Sequence, residues 1–428
     1  MDYEKINMGS YQLHIIKTKK FKTITVEVNF RRKINKEEIT IRNLLKTVLL
    51  STNQKFKSER DLIKETENLY DLKLISANTR IGNYSNLSFK VRFLNDKYTE
   101  EYMNEYSISF LMDILFRPDI IDNHFNEEEL RKAKSKLEKN IKNLSDNKLK
   151  YTLIKLLETT KDKAYSYNTY GYLEDFNKID SSSLYEYYKS VIRDDFVDIF
   201  VVGDVDIEKI KKIFKQLFKA NTFKKVKDDI LVEELLPRKR IRKIVEKDIV
   251  NQSQLTLLCS LNRLTDYERK YVLLVYNEML GGNSNSMLFD TVREKNSYAY
   301  YVNSNCKAYD NIMMIYSGIE TGNSDNVFKL VKKTFQNIEK GKFDDKILEN
   351  SKETLIGSIK ASTDSPAGII NTYYAKVLVN SDSFEERIEN IKKVSRDDII
   401  NISKKIALHT MYLLEGESRK EQDDNGDN

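Results

Sequence analysis

The chain has 428 residues, of which 40% are hydrophobic and 11% aromatic. A chain of this length is expected to form two or more domains rather than one core. Its 72 Lys and Arg residues and 66 Asp and Glu residues give a formal net charge of +6. Because the two signs are interspersed, they indicate a solvated surface and argue against a nucleic-acid groove. Abundant Lys, Asn and Ile with only 3 Pro residues indicate an A+T-rich bacterial genome.

Cysteine usage and the N-terminus predict a cytoplasmic protein. Cys259 and Cys306 are the only cysteines, which argues against a disulfide scaffold and favours a reducing compartment. Residues 1–23 lack the apolar segment of a signal peptide. No stretch approaches the roughly 18 consecutive apolar residues that a membrane-spanning helix needs. We therefore expect no interaction with a membrane.

The first half of the chain predicts strands alternating with helices. Residues 11–32 have the alternation of two strands joined by a basic turn. Residues 37–54 carry one apolar stripe at helical spacing, formed by Ile41, Leu44, Leu45, Val48 and Leu49. Ser58 is a predicted N-cap for the next helix, and a longer helix is predicted to end at Arg117, before Pro118.

The second half repeats this order. A strand over 254–262, a helix over 266–280 and a strand pair over 298–320 match the strand, helix and strand pair of the first half. We predict an α+β fold made by internal duplication, in which each α/β half is a mostly antiparallel sheet faced by helices. The predicted organisation is a first domain over 1–220, a linker over 221–245, a second domain over 246–416 and a disordered tail over 417–428.

The stretch LGGNSNSMLFDTVREKNSYAYYV, residues 280–302, carries a candidate site. Its glycines and small polar residues precede a charged turn and a group of tyrosines. Arg293 supplies a fixed positive charge and Tyr300 a hydroxyl donor, and both suit an oxyanion. The alternative is a helix end and a strand, with Arg293 paired to an acid. Spacing alone leaves both interpretations open.

Together with the order of elements, the duplication and the segment YYKSVIRDDFVDIFVVGDVD, this stretch resembles the pitrilysin/insulinase family of zinc peptidases. The resemblance covers nearly the whole chain, residues 5–416. It implies two related α/β domains per chain, forming half of a clamshell that closes around a peptide. The segments GSYQLHIIKTKKFKTITVEV and LFDTVREKNSYAYYVNS resemble more closely a bacterial subgroup described as probable inactive metalloproteases, which is associated with elongation factor P modification. That resemblance implies a heterodimer with a zinc-bearing paralogue.

The peptidases of this family carry the inverted zinc motif H-x-x-E-H on their first helix. Its two His bind the metal, its Glu is the general base, and a later Glu completes the ligand set. Aligning RNLLKTVLL with that helix places Asn43 and Thr47 at the His positions and Lys46 at the position of the base. The later Glu corresponds to Asn140, to within about one helical turn.

The remaining histidines do not replace this motif, because no two of His14, His124 and His409 have ligand spacing. We therefore expect no metal, no cofactor and no self-contained catalytic site in this chain. In active members of the family, an Arg and a Tyr seven residues later hold the substrate backbone and its polarised carbonyl oxygen. The resemblance assigns these substrate-binding roles to Arg293 and Tyr300.

The leading interpretation is therefore a catalytically inactive subunit that pairs with a zinc-bearing paralogue to bind or process peptides. The alternative is a non-proteolytic scaffold or interaction protein with the same fold, as in the core subunits of respiratory complexes. An independent enzyme with another set of catalytic groups is disfavoured by the few histidines. The basic run 237–243 is interpreted as solvated, so no nucleic-acid partner is expected.

Overall fold

The computed structural model describes residues 1–218 and 232–416. The predicted tail 417–428 and residues 221–231 of the predicted linker lie outside the described residues. Within the described ranges, no helix is both long enough and apolar enough to cross a membrane.

Strands and helices alternate along the chain. The strands are β1 (Asp2–Asn7), β2 (Gln12–Lys17), β3 (Thr23–Lys33), β4 (Lys73–Ile81), β5 (Tyr84–Leu94), β6 (Ile120–Ile121), β7 (His124–Phe125), β8 (Phe196–Gly203), β9 (Arg242–Asp248), β10 (Ser253–Leu261), β11 (Ala299–Lys307), β12 (Ile312–Ile319) and β13 (Ile406–Gly416). The α-helices are α1 (Ile39–Val48), α2 (Glu59–Asn68), α3 (Met103–Phe116), α4 (Glu127–Lys142), α5 (Lys148–Glu158), α6 (Ser181–Asp194), α7 (Ile207–Leu217), α8 (Leu273–Asn277), α9 (Ser324–Glu339), α10 (Asp345–Ser362), α11 (Pro366–Val379), α12 (Phe384–Lys393) and α13 (Arg396–Ser403).

The chain divides into two compact units that are not contiguous in sequence. The described part of unit 1 comprises 1–143, 168–218 and 364–374, and that of unit 2 comprises 144–167, 232–363 and 375–416. Strand β9 begins within the range predicted as a linker. The domain boundaries predicted from the sequence stay a prediction.

Unit 1 is built on a six-stranded sheet with the strand order β1-β2-β8-β3-β5-β4. Strands β2 and β8 run parallel, and its other neighbouring strands run antiparallel. The central strands β3 and β8 are buried along most of their length, which requires cover on both faces. The apolar core joins the sheet to its helices, for example through Phe89, Leu45 and Ile108.

Unit 2 has the same topology with one strand fewer. Its order β11-β12-β10-β13-β9 corresponds to β4-β5-β3-β8-β2 of unit 1. The parallel pair recurs as well, because β9 runs parallel to β13 as β2 does to β8. Its principal core again joins sheet to helices, as at Leu257, Val275 and Met313. The predicted α+β fold with duplicated, mostly antiparallel sheets is confirmed.

Local sequence patterns account for several element ends. The predicted apolar stripe forms α1, which buries Leu44 and Leu45. The Ser58 side chain accepts a hydrogen bond from the backbone N–H of Asp61 and so caps α2, as predicted. Helix α3 ends at Phe116 with Arg117 as its C-cap, which confirms the stop predicted before the proline.

Candidate functional site

Helix α1 uses the positions of the zinc motif for structural contacts. The Asn43 side chain is buried, and its Nδ2 donates to the carbonyl oxygens of Ile39 and Thr169, at 2.9 Å each. The Thr47 hydroxyl donates to the carbonyl oxygen of Asn43 at 3.3 Å. Both hydrogens of the Asn43 amide and the hydroxyl hydrogen of Thr47 are therefore engaged within unit 1.

A second lysine accompanies Lys46 at this place. Helices α1 and α4 pack together, and Asn140 on α4 is exposed. Lys136, one helical turn before Asn140, is the residue whose charge acts on Lys46. Burial, followed by repulsion from Lys136, lowers the pKa of the Lys46 ammonium group. The sequence analysis did not single out Lys136. The uncertainty of one turn in the position of Asn140 could have drawn attention to it, because Lys136 lies four residues earlier on the same helix.

These residues do not fit a zinc ion. In the part of the chain that the structure describes, no group of three or more His, Cys, Asp or Glu residues is placed to hold a metal. An amide nitrogen that donates both its hydrogens offers no electron pair, and the Lys46 ammonium group repels a cation. The donor set that zinc requires is therefore missing from α1.

The histidines lie on separate strands and have structural contacts. His14 and Asp198 are fully buried, with His14 Nε2 3.1 Å from Asp198 Oδ1. The other ring nitrogen of His14 lies 2.9 Å from the Tyr3 hydroxyl. His124 is exposed, whereas burial and two neighbouring arginines lower the pKa of His409 to about 4. His409 is therefore neutral near pH 7. It lies on β13, whereas His14 lies on β2 and His124 on β7.

Arg293 lies near the end of the π-helical segment Phe289–Glu294 of unit 2. Its side chain is 46% exposed, and its Nε is 3.7 Å from Oε1 of Glu294. The guanidinium carbon lies 4.7 Å from the centre of the Phe289 ring. An exposed ion pair between chain neighbours contributes little, so these contacts leave the outer face of the guanidinium accessible.

Tyr300 occupies a β-bulge on the edge strand β11. Its neighbours Ala299 and Tyr301 pair with adjacent residues of β12, so that Tyr300 is the extra residue between them. Its side chain is 59% exposed. Its hydroxyl makes no hydrogen bond to any residue within 1–218 or 232–416. Bulges re-aim a side chain and are frequent beside functional sites.

The other residues of this stretch have different surroundings. Tyr298 precedes β11, packs against the core of unit 2 and donates its backbone N–H to the carbonyl oxygen of Val292 at 3.1 Å. A Cβ atom at Gly281 would come within 2.8 Å of the backbone nitrogen of Ser304 on β11. Gly281 is therefore needed where the chain passes close to its own sheet.

Part of the chain matches the family model of the peptidase M16 inactive domain, over residues 178–355. A probable inactive metalloprotease of Bacillus subtilis is 27% identical over 419 residues, which cover 96% of this chain and 97% of that protein. An uncharacterized zinc protease of the same organism is 28% identical over 279 residues, covering 63% of this chain and 64% of that protein.

Two solved structures share the fold over nearly the whole chain. A conserved protein from Enterococcus faecalis has a TM-score of 0.89 and 26% identity, over 97% of this chain and 99% of that one. The peptidase M16 inactive domain from Pseudomonas fluorescens has a TM-score of 0.79 over 98% of both chains. Its identity of 15% limits that second likeness to the fold.

Proposed function

We propose, on the premise that this chain belongs to the peptidase M16 family as an inactive peptidase homologue, that it pairs with a zinc-bearing paralogue to bind or process peptides. The paralogue supplies the metal chemistry, and this chain supplies groups that hold the peptide. The proposal includes a cytoplasmic location, since the described cysteines Cys259 and Cys306 are free thiols. It extends to a role in elongation factor P modification, for which the resemblance to one subgroup is the support.

The exposure of both Arg293 and Tyr300 is the observation that carries this proposal. An aromatic side chain that is 59% exposed, on a bulge and without a hydrogen bond to a described residue, is available to a ligand. In contrast, the neighbouring Tyr301 donates its hydroxyl to Gln254 inside unit 2. Of the two adjacent tyrosines, Tyr301 therefore has a structural role, whereas the hydroxyl of Tyr300 is available to a ligand.

The chemistry of the pair suits a peptide carbonyl oxygen. The guanidinium group offers a fixed charge and several N–H donors, and the phenol offers one O–H donor. Neither group supplies a nucleophile or a general base at neutral pH, which is why the proposal assigns them binding rather than the whole reaction.

The degenerate α1 site supports the need for a partner. Asn43, Lys46 and Thr47 offer no zinc ligands, while a substrate-holding pair remains on the other unit. Bacillus subtilis has both a probable inactive metalloprotease and a zinc protease related to this chain. The coexistence of two such proteins in one organism supports, for this chain, a division of labour between paralogues.

Co-expression with the zinc-bearing paralogue of the same organism tests the proposal. We expect the affinity-tagged chain to capture the paralogue and to elute with it as a one-to-one complex by size exclusion with light scattering. An obligate interface typically buries more than about 2,000 Å², so the complex should stay together during size exclusion. The control is the paralogue expressed with the tag alone.

The chain eluting as a monomer or self-dimer beside a free paralogue would contradict the pairing. A stable complex whose peptide turnover does not depend on Arg293 or Tyr300 would favour the alternative, a scaffold protein with the same fold.

A further inference from the structure

The core of unit 2 requires one extra residue near the start of β11. Ala299 and Val302 are both buried in that core. In a regular strand, residues three positions apart point to opposite faces of the sheet. Both side chains can therefore reach the core only if one residue between them is extra. The core itself does not determine whether Tyr300 or Tyr301 is that residue.

Tyr301 is held across two neighbouring strands. It lies opposite Gly318 of β12, which in turn lies opposite Gln254 of β10. The Tyr301 hydroxyl donates to Oε1 of the buried Gln254, so the ring passes over Gly318. A Cβ atom at Gly318 would overlap this ring and would come within 2.7 Å of Cδ of Gln252. A glycine is therefore needed at this position, and the place above it takes one tyrosine ring.

Further hydrogen bonds fix both ends of this bridge. The buried Ser317 hydroxyl donates to the carbonyl oxygen of Tyr301 at 2.8 Å. Nε2 of Gln254 donates to the carbonyl oxygen of Gln252 at 3.4 Å, which leaves Oε1 of Gln254 to accept from the tyrosine. Burial raises the pKa of Tyr301 to about 12, so its hydroxyl stays a donor at neutral pH.

We propose that Tyr301 is a positioning residue for Tyr300: it occupies the place over Gly318 and the acceptor Gln254, and so keeps the Tyr300 hydroxyl exposed. In the competing arrangement, Tyr301 is the extra residue and Tyr300 lies opposite Gly318. Gln254 then accepts the Tyr300 hydroxyl, and the exposed donor is lost. The value of this positioning for peptide turnover rests on the proposed function, whereas the arrangement of the two tyrosines does not.

Fluorine NMR of the full chain, with 3-fluorotyrosine incorporated at position 300, tests the arrangement without a partner. Tyr301→Phe removes the hydrogen bond to Gln254 from the observed arrangement only. We therefore expect a second resonance, with its population relative to the first raised by about two- to ten-fold, the value of one hydrogen bond. Adding Gln254→Leu to Tyr301→Phe should reverse this rise, because the competing arrangement then has no acceptor for Tyr300. A purely structural contribution of Tyr301 predicts no such reversal.

Tyr298→Phe is the matched control, because it removes a hydroxyl from the same stretch and leaves the bridge intact. It should not change the fluorine spectrum. Circular dichroism of each variant checks the fold.

Turnover by the pair with the zinc-bearing paralogue provides the second measurement. Tyr301→Phe should lower turnover by the fraction of chains that the NMR finds in the competing arrangement. The same substitution should have no effect in the Tyr300→Phe background, where no hydroxyl remains to be positioned.

A fluorine spectrum that Tyr301→Phe leaves unchanged would overturn the proposal. So would a change that Gln254→Leu does not reverse, or an equal loss of turnover with and without the Tyr300 hydroxyl. If the spectrum responds as expected but Tyr300→Phe leaves turnover unchanged, the positioning of Tyr300 is supported and the proposed function is contradicted.

Discussion

Lys46 carries a charge that destabilises unit 1. Burial and Lys136 lower its pKa from the ordinary value of 10.5, so the folded chain binds this proton more weakly than the unfolded chain does. The contribution of Lys46 to the free energy of unfolding therefore increases as the pH rises from the folded pKa towards 10.5. Below the folded pKa, the penalty is present in full.

Lys46→Gln should accordingly stabilise the chain. We expect the free energy of unfolding to rise by about 1 kcal/mol at pH 7, with the difference shrinking as the pH approaches 10.5. Thermal melts followed by circular dichroism at several pH values measure this. Lys139→Gln, which changes an exposed residue of α4, should have little effect, and a loss of stability in Lys46→Gln would show that Lys46 is compensated after all.

From the sequence, Asn43, Lys46 and Thr47 were assigned to the positions of the zinc motif, because these positions follow from the register of one apolar stripe. It did not indicate Lys136, since the rotation of α4 against α1 depends on packing between segments about 90 residues apart. Lys136 lies one helical turn before Asn140 on α4. One turn is also the uncertainty with which the sequence placed the position of the later Glu.

Among the elements, strands and helices with clear periodicity were predictable and their irregularities were not. The predicted helix over 266–280 consists of α8 flanked by the π-helical turns Glu268–Val272 and Glu278–Gly282. Neither these turns nor the bulge at Tyr300 alters the local apolar pattern. The bulge depends on how β11 pairs with β12, which no local pattern specifies.

Gly281 marks the place where this helical region meets β11, and it allows a test of that contact. Gly281→Ala would place a methyl group 2.8 Å from the backbone nitrogen of Ser304. We expect a loss of about 1–3 kcal/mol in the free energy of unfolding from this overlap, measured by urea denaturation. Gly357→Ala is the control: nothing lies within 4 Å of its Cβ position, so in mid-helix it should stabilise by about 0.5–1 kcal/mol. Equal effects of the two substitutions would contradict the close approach.

For the whole molecule, the repeated order of elements was sufficient to predict the duplicated fold. The sequence did not predict that 144–167 belongs with unit 2 and 364–374 with unit 1. Helix α5 packs on β10, and the Tyr374 hydroxyl of α11 donates to Oδ1 of Asn86 on β5 at 3.0 Å. Whether such a segment belongs to unit 1 or to unit 2 depends on the sheet or helix against which it packs. The order of elements along the chain does not specify this.

Peptide turnover by the reconstituted pair measures whether this chain holds a peptide for a partner that carries the zinc. Complex formation is checked on the same samples, and Tyr98→Phe is the control because Tyr98 is 54% exposed against 59% for Tyr300. Tyr300→Phe should lower turnover by roughly a hundred- to a thousand-fold, the cost of one oxyanion donor. Arg293→Ala should weaken both peptide binding and turnover, while Tyr98→Phe should change neither. Unchanged turnover in both Tyr300→Phe and Arg293→Ala, with the complex intact, would rule out this role of the chain.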